Sequence, residues 1–115
     1  MRGSVIKYNY HDSYIDEVEV NADRIIFSVV LYSLYYPDSP KVTVELSGIY
    51  NQKNVENYFK SILAESEDGE IGCQVEAMFL DEKKESADGN FYIYLKTDWE
   101  GAIRIHCSKF NEHLG

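Results

Sequence analysis

The stretch KVTVELSGIYNQKNVENYFKSILAES, residues 41–66, contains a change of hydrophobic period from two to 3.6. Residues 41–50 alternate between apolar and polar side chains, with Val42, Val44 and Leu46 facing inward and Thr43, Glu45 and Ser47 outward, which is typical of a half-buried strand. From residue 54 the apolar residues recur three and four positions apart, which predicts an amphipathic helix over about residues 54–65. Its expected buried stripe consists of Val55, Tyr58, Phe59, Ile62 and Leu63.

The residues before this helix indicate how it begins. Asn51 or Asn54 is expected to cap its N-terminus, because an amide oxygen can accept a hydrogen bond from the free N–H groups of the first turn.

Two strands are predicted earlier in the chain. Residues 14–20 indicate a short strand, and residues 25–36 indicate a longer one that Pro37 and Pro40 end. The inward residues of the longer strand are expected to be Ile25, Phe27, Val29 and Leu31.

Three strands are predicted after the helix. The first covers residues 73–80, with Cys73, Val75, Ala77 and Phe79 on one face. A polar loop over residues 81–90 leads to a hairpin of residues 91–97 and 102–110, closed by the turn TDWEG. Its inward residues are Phe91, Ile93, Leu95, Ile103, Ile105 and Cys107. On the outward face this register places Tyr94 opposite Arg104 and Tyr92 opposite His106, and His113 falls in a frayed C-terminal tail.

The order along the chain is therefore β-β-β-α-β-β-β. This order predicts an α+β protein in which one amphipathic helix packs on a six-stranded antiparallel sheet. The length of 115 residues and the absence of a linker predict a single domain over residues 1–115.

Charge and cysteine content limit the classes of partner. The net charge of −9 argues against nucleic acid or an anionic membrane as a partner, and it permits a basic protein. Only Cys73 and Cys107 occur, and we see neither a leader sequence nor an apolar stretch that could span a bilayer. We therefore expect a cytoplasmic protein with two reduced, buried thiols.

The negative charge is concentrated in residues 64–88, which hold nine acidic residues and two lysines. Such a run usually forms a solvated surface, and it can also form an acidic docking surface. Within it, Glu67, Asp68 and Glu70 are candidate partner-binding residues.

The motif His11-Asp12-Ser13 precedes the first strand. A His-Asp pair is similar to the metal-binding HD motif of helical proteins, but the single predicted helix contains neither His nor Asp. Asp12 and Ser13 can instead bond nearby backbone N–H groups, and His11 can donate to a neighbouring strand. We expect a structural motif.

No other pattern indicates chemistry. Metal sites need three or four converging ligands, and the sequence has no such spacing. It also lacks a Gly-rich phosphate loop and a nucleophile beside a base. We therefore expect a protein that is not an enzyme and that needs no metal or cofactor.

The segments YHDSYIDEVEV, residues 10–20, and DRIIFSVVLY, residues 23–32, resemble the opening of small bacterial β-rich proteins that begin with His-Asp-Ser or His-Asp-Ala. Some of these are immunity proteins of polymorphic-toxin or contact-dependent inhibition systems. The resemblance covers about the first quarter of the chain. It implies a protein that binds a cognate toxin domain in the cytoplasm and blocks it, and no binding residue carries over from it.

Two surfaces are candidates for such binding. One is the acidic loop with Glu67, Asp68 and Glu70, which suits a basic toxin such as a nuclease. The other is the outward sheet face, whose tyrosines would supply anchoring area; its candidate residues are Tyr92, Tyr94, Arg104 and His106. The alternative function is a small ligand-binding or regulatory domain, with an apolar pocket between helix and sheet lined by Tyr58, Phe59 and Phe79.

Overall fold

Six strands and one helix make up the computed structural model, which describes residues 8–66, 70–80 and 91–114. The elements are β1 (Ser13–Val20), β2 (Arg24–Val30), β3 (Lys41–Ile49), α1 (Gln52–Glu65), β4 (Cys73–Leu80), β5 (Phe91–Thr97) and β6 (Gly101–Leu114). The α+β class, the single helix and the six antiparallel strands are confirmed. The predicted loop over residues 81–90 lies outside the described residues.

The predicted six-stranded sheet with a helix packed on it is corrected in its topology, because the strands close into a barrel in the spatial order β1-β2-β3-β6-β5-β4. This order departs from the order along the chain. Strands β1 to β3 form one antiparallel meander and β4 to β6 form another. A long seam of seven residue pairs joins β3 to β6, and a short seam of three pairs joins β1 to β4.

The helix α1 covers one end of the barrel. It follows the end of β3 and precedes the start of β4, at the same end as the β1–β2 and β5–β6 turns. Val55, Tyr58, Phe59 and Ile62 are buried as predicted. Phe59 stacks on Phe27 of β2 with the ring centroids 5.0 Å apart. Leu63 is a wrong prediction: its side chain is 37% exposed, beyond the part of the helix that the barrel covers.

The expected side-chain cap of α1 is also wrong. Asn51 is the N-cap residue, but its amide makes no cap hydrogen bond. Its Nδ2 donates to Arg104 O at 2.8 Å, and its Oδ1 accepts from His106 N at 3.0 Å. The last β3 residue in the ladder, Ile49, pairs with Cys107. The Asn51 side-chain amide therefore donates one hydrogen bond to the β6 backbone and accepts another from it. It takes the place of a paired backbone peptide group just beyond the end of β3.

Two strands end at other places than predicted. β2 stops at Val30, well before Pro37, and the backbone N–H groups of Tyr35 and Tyr36 both donate to Tyr32 O in a turn that lies between the strand end and the proline. Strand β6 continues to Leu114, and His113 pairs with Thr43 instead of lying in a frayed tail. The inward residues of β2 and β3 are buried as predicted.

The face assignment of β4 is correct for its first half and wrong for its second. A β-bulge against β5 shifts the register between Val75 and Ala77. Because side chains alternate along a strand, one extra residue exchanges the two faces beyond it. Met78 is consequently buried, whereas Phe79 is 49% exposed on the outside of the barrel.

Candidate functional site

The outer surface of the β5–β6 hairpin has the register that the sequence predicts. Tyr94 pairs with Arg104, and Tyr92 pairs with His106. The turn closes between Thr97 and Gly101 as expected. Residues directly opposite each other in an antiparallel pair have Cβ atoms about 4.5–5.5 Å apart, so these side chains lie side by side on the barrel wall.

His106 lies in the middle of three stacked rings. Its ring centroid is 4.1 Å from that of Tyr92, with 13° between the planes, and 4.5 Å from that of Tyr50. Tyr50 reaches this position because its backbone N–H donates to His106 O at 2.7 Å. Within the described part of the chain, His106 Nε2 is shielded from solvent and has no hydrogen-bond partner.

A second pair of rings lies beside this stack. Phe79 of β4 pairs with Tyr94, and their ring centroids are 5.1 Å apart with 28° between the planes. We call the whole surface the aromatic face. It consists of Tyr50, Phe79, Tyr92, Tyr94, Arg104 and His106.

Sequence reasoning identified four of these six residues and missed Tyr50 and Phe79. Tyr50 lies just after the end of β3, where the alternation of the strand no longer predicts which way a side chain faces. The alternation places Phe79 inward, because the bulge in β4 has no signature in the local sequence. The signal that could reveal it is the presence of large apolar side chains at two neighbouring positions, Met78 and Phe79, which makes the face of β4 ambiguous there.

The charge of the aromatic face differs from that of the whole protein. Arg104 is exposed on it, and Lys96 is exposed beside Ala77 and Ala102. The net charge of the chain is −9. The aromatic face of this strongly acidic protein therefore includes one cation, Arg104, and a second cation, Lys96, lies next to the face on β5.

Of the acidic candidates, Glu70 is described and exposed, while Glu67 and Asp68 lie outside the described residues. Glu70 lines a shallow groove of about 290 Å³ with Glu65, Gly72 and Trp99. A hydrogen bond with the Glu65 side chain raises the pKa of Glu100, and desolvation adds to this shift. Negative side chains therefore gather at the C-terminal end of α1.

The residues of the His11-Asp12-Ser13 motif make contacts between strands. Asp12 has a positive φ of 64°, a conformation that Asp tolerates better than most residues. Its backbone N–H donates to Val75 O at 2.9 Å, and its carboxylate accepts from the Gln74 side chain at 3.0 Å. Ser13 Oγ accepts from Tyr32 N at 3.1 Å, and His11 Nδ1 lies 2.6 Å from Glu76 O.

The chemistry available in the described part of the chain is limited. No group of three or more His, Cys, Asp or Glu residues could hold a metal ion there. Both cysteines are buried and free, and burial raises the pKa of each thiol to about 11. A thiol with this pKa is almost entirely protonated at neutral pH and is a poor nucleophile.

The three residues predicted to line an apolar pocket between helix and sheet, Tyr58, Phe59 and Phe79, lie in different places. Phe59 is fully buried in the core, and Tyr58 Oη donates to Gly101 O at 2.6 Å and lies 2.7 Å from Thr97 Oγ1. Phe79 lies on the outside of the barrel. The three residues therefore do not enclose a common cavity, and this lining is wrong.

Comparison with known proteins adds no function. No family model, curated protein or solved structure matches the chain. None of the helices that the structure describes has the length and apolar character needed to cross a membrane.

Proposed function

We propose that this chain is an immunity protein that binds a cognate bacterial toxin domain in the cytoplasm through the aromatic face and neutralises it. The observation that carries this proposal is the pair of ring stacks on the outer wall of β4, β5 and β6. In these stacks Phe79 is 49% exposed and Tyr50 is 62% exposed.

Stacked rings suit a binding surface because their positions are fixed before the partner arrives. Association costs about 0.5–1.5 kcal/mol for each flexible side chain that it immobilises. The neighbouring rings of Phe79 and Tyr94, and those of Tyr92 and His106, already restrict one another. Tyrosine and arginine are also the residue types that most often anchor interfaces, and Arg104 stands directly beside Tyr94.

The two charge patterns have separate roles in this proposal. At long range the net charge of −9 attracts a basic domain and raises the association rate. At contact, the exposed ammonium of Lys96, two residues from Tyr94 along β5, favours carboxylates on the partner. We therefore propose a partner that is basic overall and presents acidic side chains where it meets the aromatic face.

Co-expression with a candidate toxin domain, taken from any toxin gene found next to the gene for this chain, tests the proposal. Cells that express the toxin alone should stop growing, and this chain should restore growth. Tyr94→Ala should abolish the rescue or weaken binding by about thirtyfold, the effect of losing an aromatic anchor worth about 2 kcal/mol. Tyr35→Ala removes an exposed tyrosine outside the face and should leave rescue unchanged. Failure of the wild-type chain to rescue growth would refute the proposed function.

Stopped-flow kinetics separate the two surfaces. Truncation of Tyr92 and Tyr94 should raise the dissociation rate, because aromatic anchors hold the formed complex. Reversal of Glu67, Asp68 and Glu70 to lysine should lower the association rate, as salt should, since the Debye length shrinks from about 10 Å at 0.1 M to about 3 Å at 1 M. An unchanged dissociation rate in the tyrosine variants would exclude the aromatic face as the contact.

A further inference from the structure

A groove separate from the aromatic face lies between β1, β2 and the C-terminal part of α1. Its volume is about 310 Å³, and we call it the β1–α1 groove. Apolar side chains that line it include Val18 and Ile26 from the strands, Leu63 from α1 and Ile71 from the segment before β4. Three carboxylates also line it: those of Asp16, Glu17 and Glu19.

Leu63 is the member of the helical stripe that the barrel does not cover. The other four members, Val55, Tyr58, Phe59 and Ile62, are buried. Leu63 is 37% exposed, and it lines the groove together with Ile71. The groove therefore offers an apolar wall to which the aliphatic part of a bound group can pack.

The charge of the groove is negative after its internal ion pairs are counted. Lys41 Nζ lies 3.0 Å from Asp16 Oδ2 and 2.8 Å from Glu17 Oε1, so one ammonium serves two carboxylates. Among the described residues, Glu19 accepts a hydrogen bond from a neutral donor only, the Asn21 side chain at 2.7 Å. Three carboxylates and one ammonium leave an excess of two negative charges.

Asp16 has an unused acceptor. The β1–β2 register shifts between Ile15 and Glu17, and Asp16 is the residue at this bulge. In the described ranges its Oδ1 is shielded from solvent and has no hydrogen-bond partner. The Asp16 side chain as a whole is 25% exposed, so its carboxylate contributes negative charge to the groove although Oδ1 itself is not open to a ligand.

We propose that the β1–α1 groove binds an arginine side chain of a partner protein, with the aliphatic stem against Leu63 and Ile71 and the guanidinium against the carboxylates of Asp16 and Glu19. Arginine fits better than lysine because its planar fork presents several donors at once to carboxylate oxygens. This inference goes beyond the proposed function, since it assigns a second binding site with its own ligand chemistry.

Methyl NMR with short peptides tests this site without any toxin. The blocked tripeptide acetyl-Gly-Arg-Gly-amide should shift the methyl signals of Leu63 and Ile71 saturably, with a dissociation constant in the millimolar range. The methyls of Leu34, which is exposed in the β2–β3 loop, should not shift. The citrulline analogue has the same shape without the charge, and it should cause no saturable shift. Equal binding of both peptides, or no saturable shift with the arginine peptide, would overturn the proposal.

Three variants test where the peptide binds and which charge attracts it. Asp16→Asn should weaken peptide binding by about fivefold, the effect of losing one of the negative charges that attract the guanidinium. Glu76→Gln removes the same charge from an exposed position outside the groove and should change binding by less than about twofold. Leu63→Arg places a guanidinium at the groove from within the chain, and it should abolish peptide binding while the protein stays folded. Equal effects of Asp16→Asn and Glu76→Gln would show diffuse attraction only and would refute the site.

Discussion

Phe59 and Phe79 form a matched pair for measuring what burial contributes to the stability of this barrel. Each ring stacks on one other ring in almost the same geometry, and Phe59 also contacts the Tyr58 ring edge to face, with centroids 5.5 Å apart. The centroids of Phe59 and Phe27 are 5.0 Å apart with 26° between the planes, and those of Phe79 and Tyr94 are 5.1 Å apart with 28°. The two residues differ in burial, because Phe59 is 0% exposed and Phe79 is 49% exposed. Replacement of each by alanine removes a similar stack and a different amount of buried surface.

The expected magnitudes follow from this difference. A fully buried Phe removes about 150–250 Å² from water, or about 4–6 kcal/mol at 25 cal/mol per Å², and this is an upper value. Measured Phe→Ala changes in cores cost about 3–5 kcal/mol, so we expect this range for Phe59→Ala. For Phe79→Ala we expect about 1–2 kcal/mol, from half the buried area and no enclosed cavity. The difference should be about 2–3 kcal/mol.

Urea denaturation followed by circular dichroism measures both values. With a slope of about 1.5 kcal/mol per molar urea, Phe59→Ala should lower the midpoint by about 2–3 M, and Phe79→Ala by about 1 M. The slope itself should stay constant, since neither change alters the surface exposed on unfolding by much. Equal losses of free energy of unfolding, within about 1 kcal/mol, would refute the assignment of Phe59 to the core and of Phe79 to the surface.

Three further changes have defined outcomes. Tyr58→Phe should lower the free energy of unfolding by about 1–3 kcal/mol in urea titrations, because Gly101 O loses a buried donor. Asp12→Ala should cost about 0.5–2 kcal/mol and leave the affinity for a toxin unchanged, whereas Asp12→Asn, which tolerates positive φ, should cost less. An Asp12→Ala protein that stays folded but loses binding would contradict this. Stability should also fall as pH rises from about 9 to about 11, because burial raises the thiol pKa in the folded state from 9.0 to about 11 and the unfolded state releases its protons first. Denaturation at pH 8 and pH 10.5 should show a smaller loss in the variant with both Cys73→Ala and Cys107→Ala.

Local alternation predicted most of this fold where each strand's partner is its neighbour in sequence. The β5–β6 hairpin is the clearest case: its short turn fixes the register, so Tyr94 was correctly placed opposite Arg104. The same reasoning failed in β4, because a bulge depends on the pairing with β5 and not on the β4 sequence alone. Phe79 consequently changed faces.

Closure of the barrel could not be predicted from the sequence, for a related reason. It depends on β1 meeting β4, for example through Ile15 and Cys73, which are far apart along the chain and carry no mutual signal. For the candidate site, the alternation of the hairpin predicted Tyr92, Tyr94, Arg104 and His106 on one surface. Tyr50 and Phe79 joined them only through long-range pairing. The β1–α1 groove likewise requires Asp16 and Leu63 to meet across the fold.

The unequal seams of the barrel have a consequence for its motions. In the described part of the chain, seven residue pairs along β3 and β6 hold the two meanders together, but only three along β1 and β4 do so. Partial opening should therefore begin at the short seam, with the long seam acting as a hinge. In native-state hydrogen exchange, the amide of Asp12, which bonds Val75 O across the short seam, should exchange through this sub-global opening. The amides between β3 and β6 should exchange only when the whole barrel unfolds.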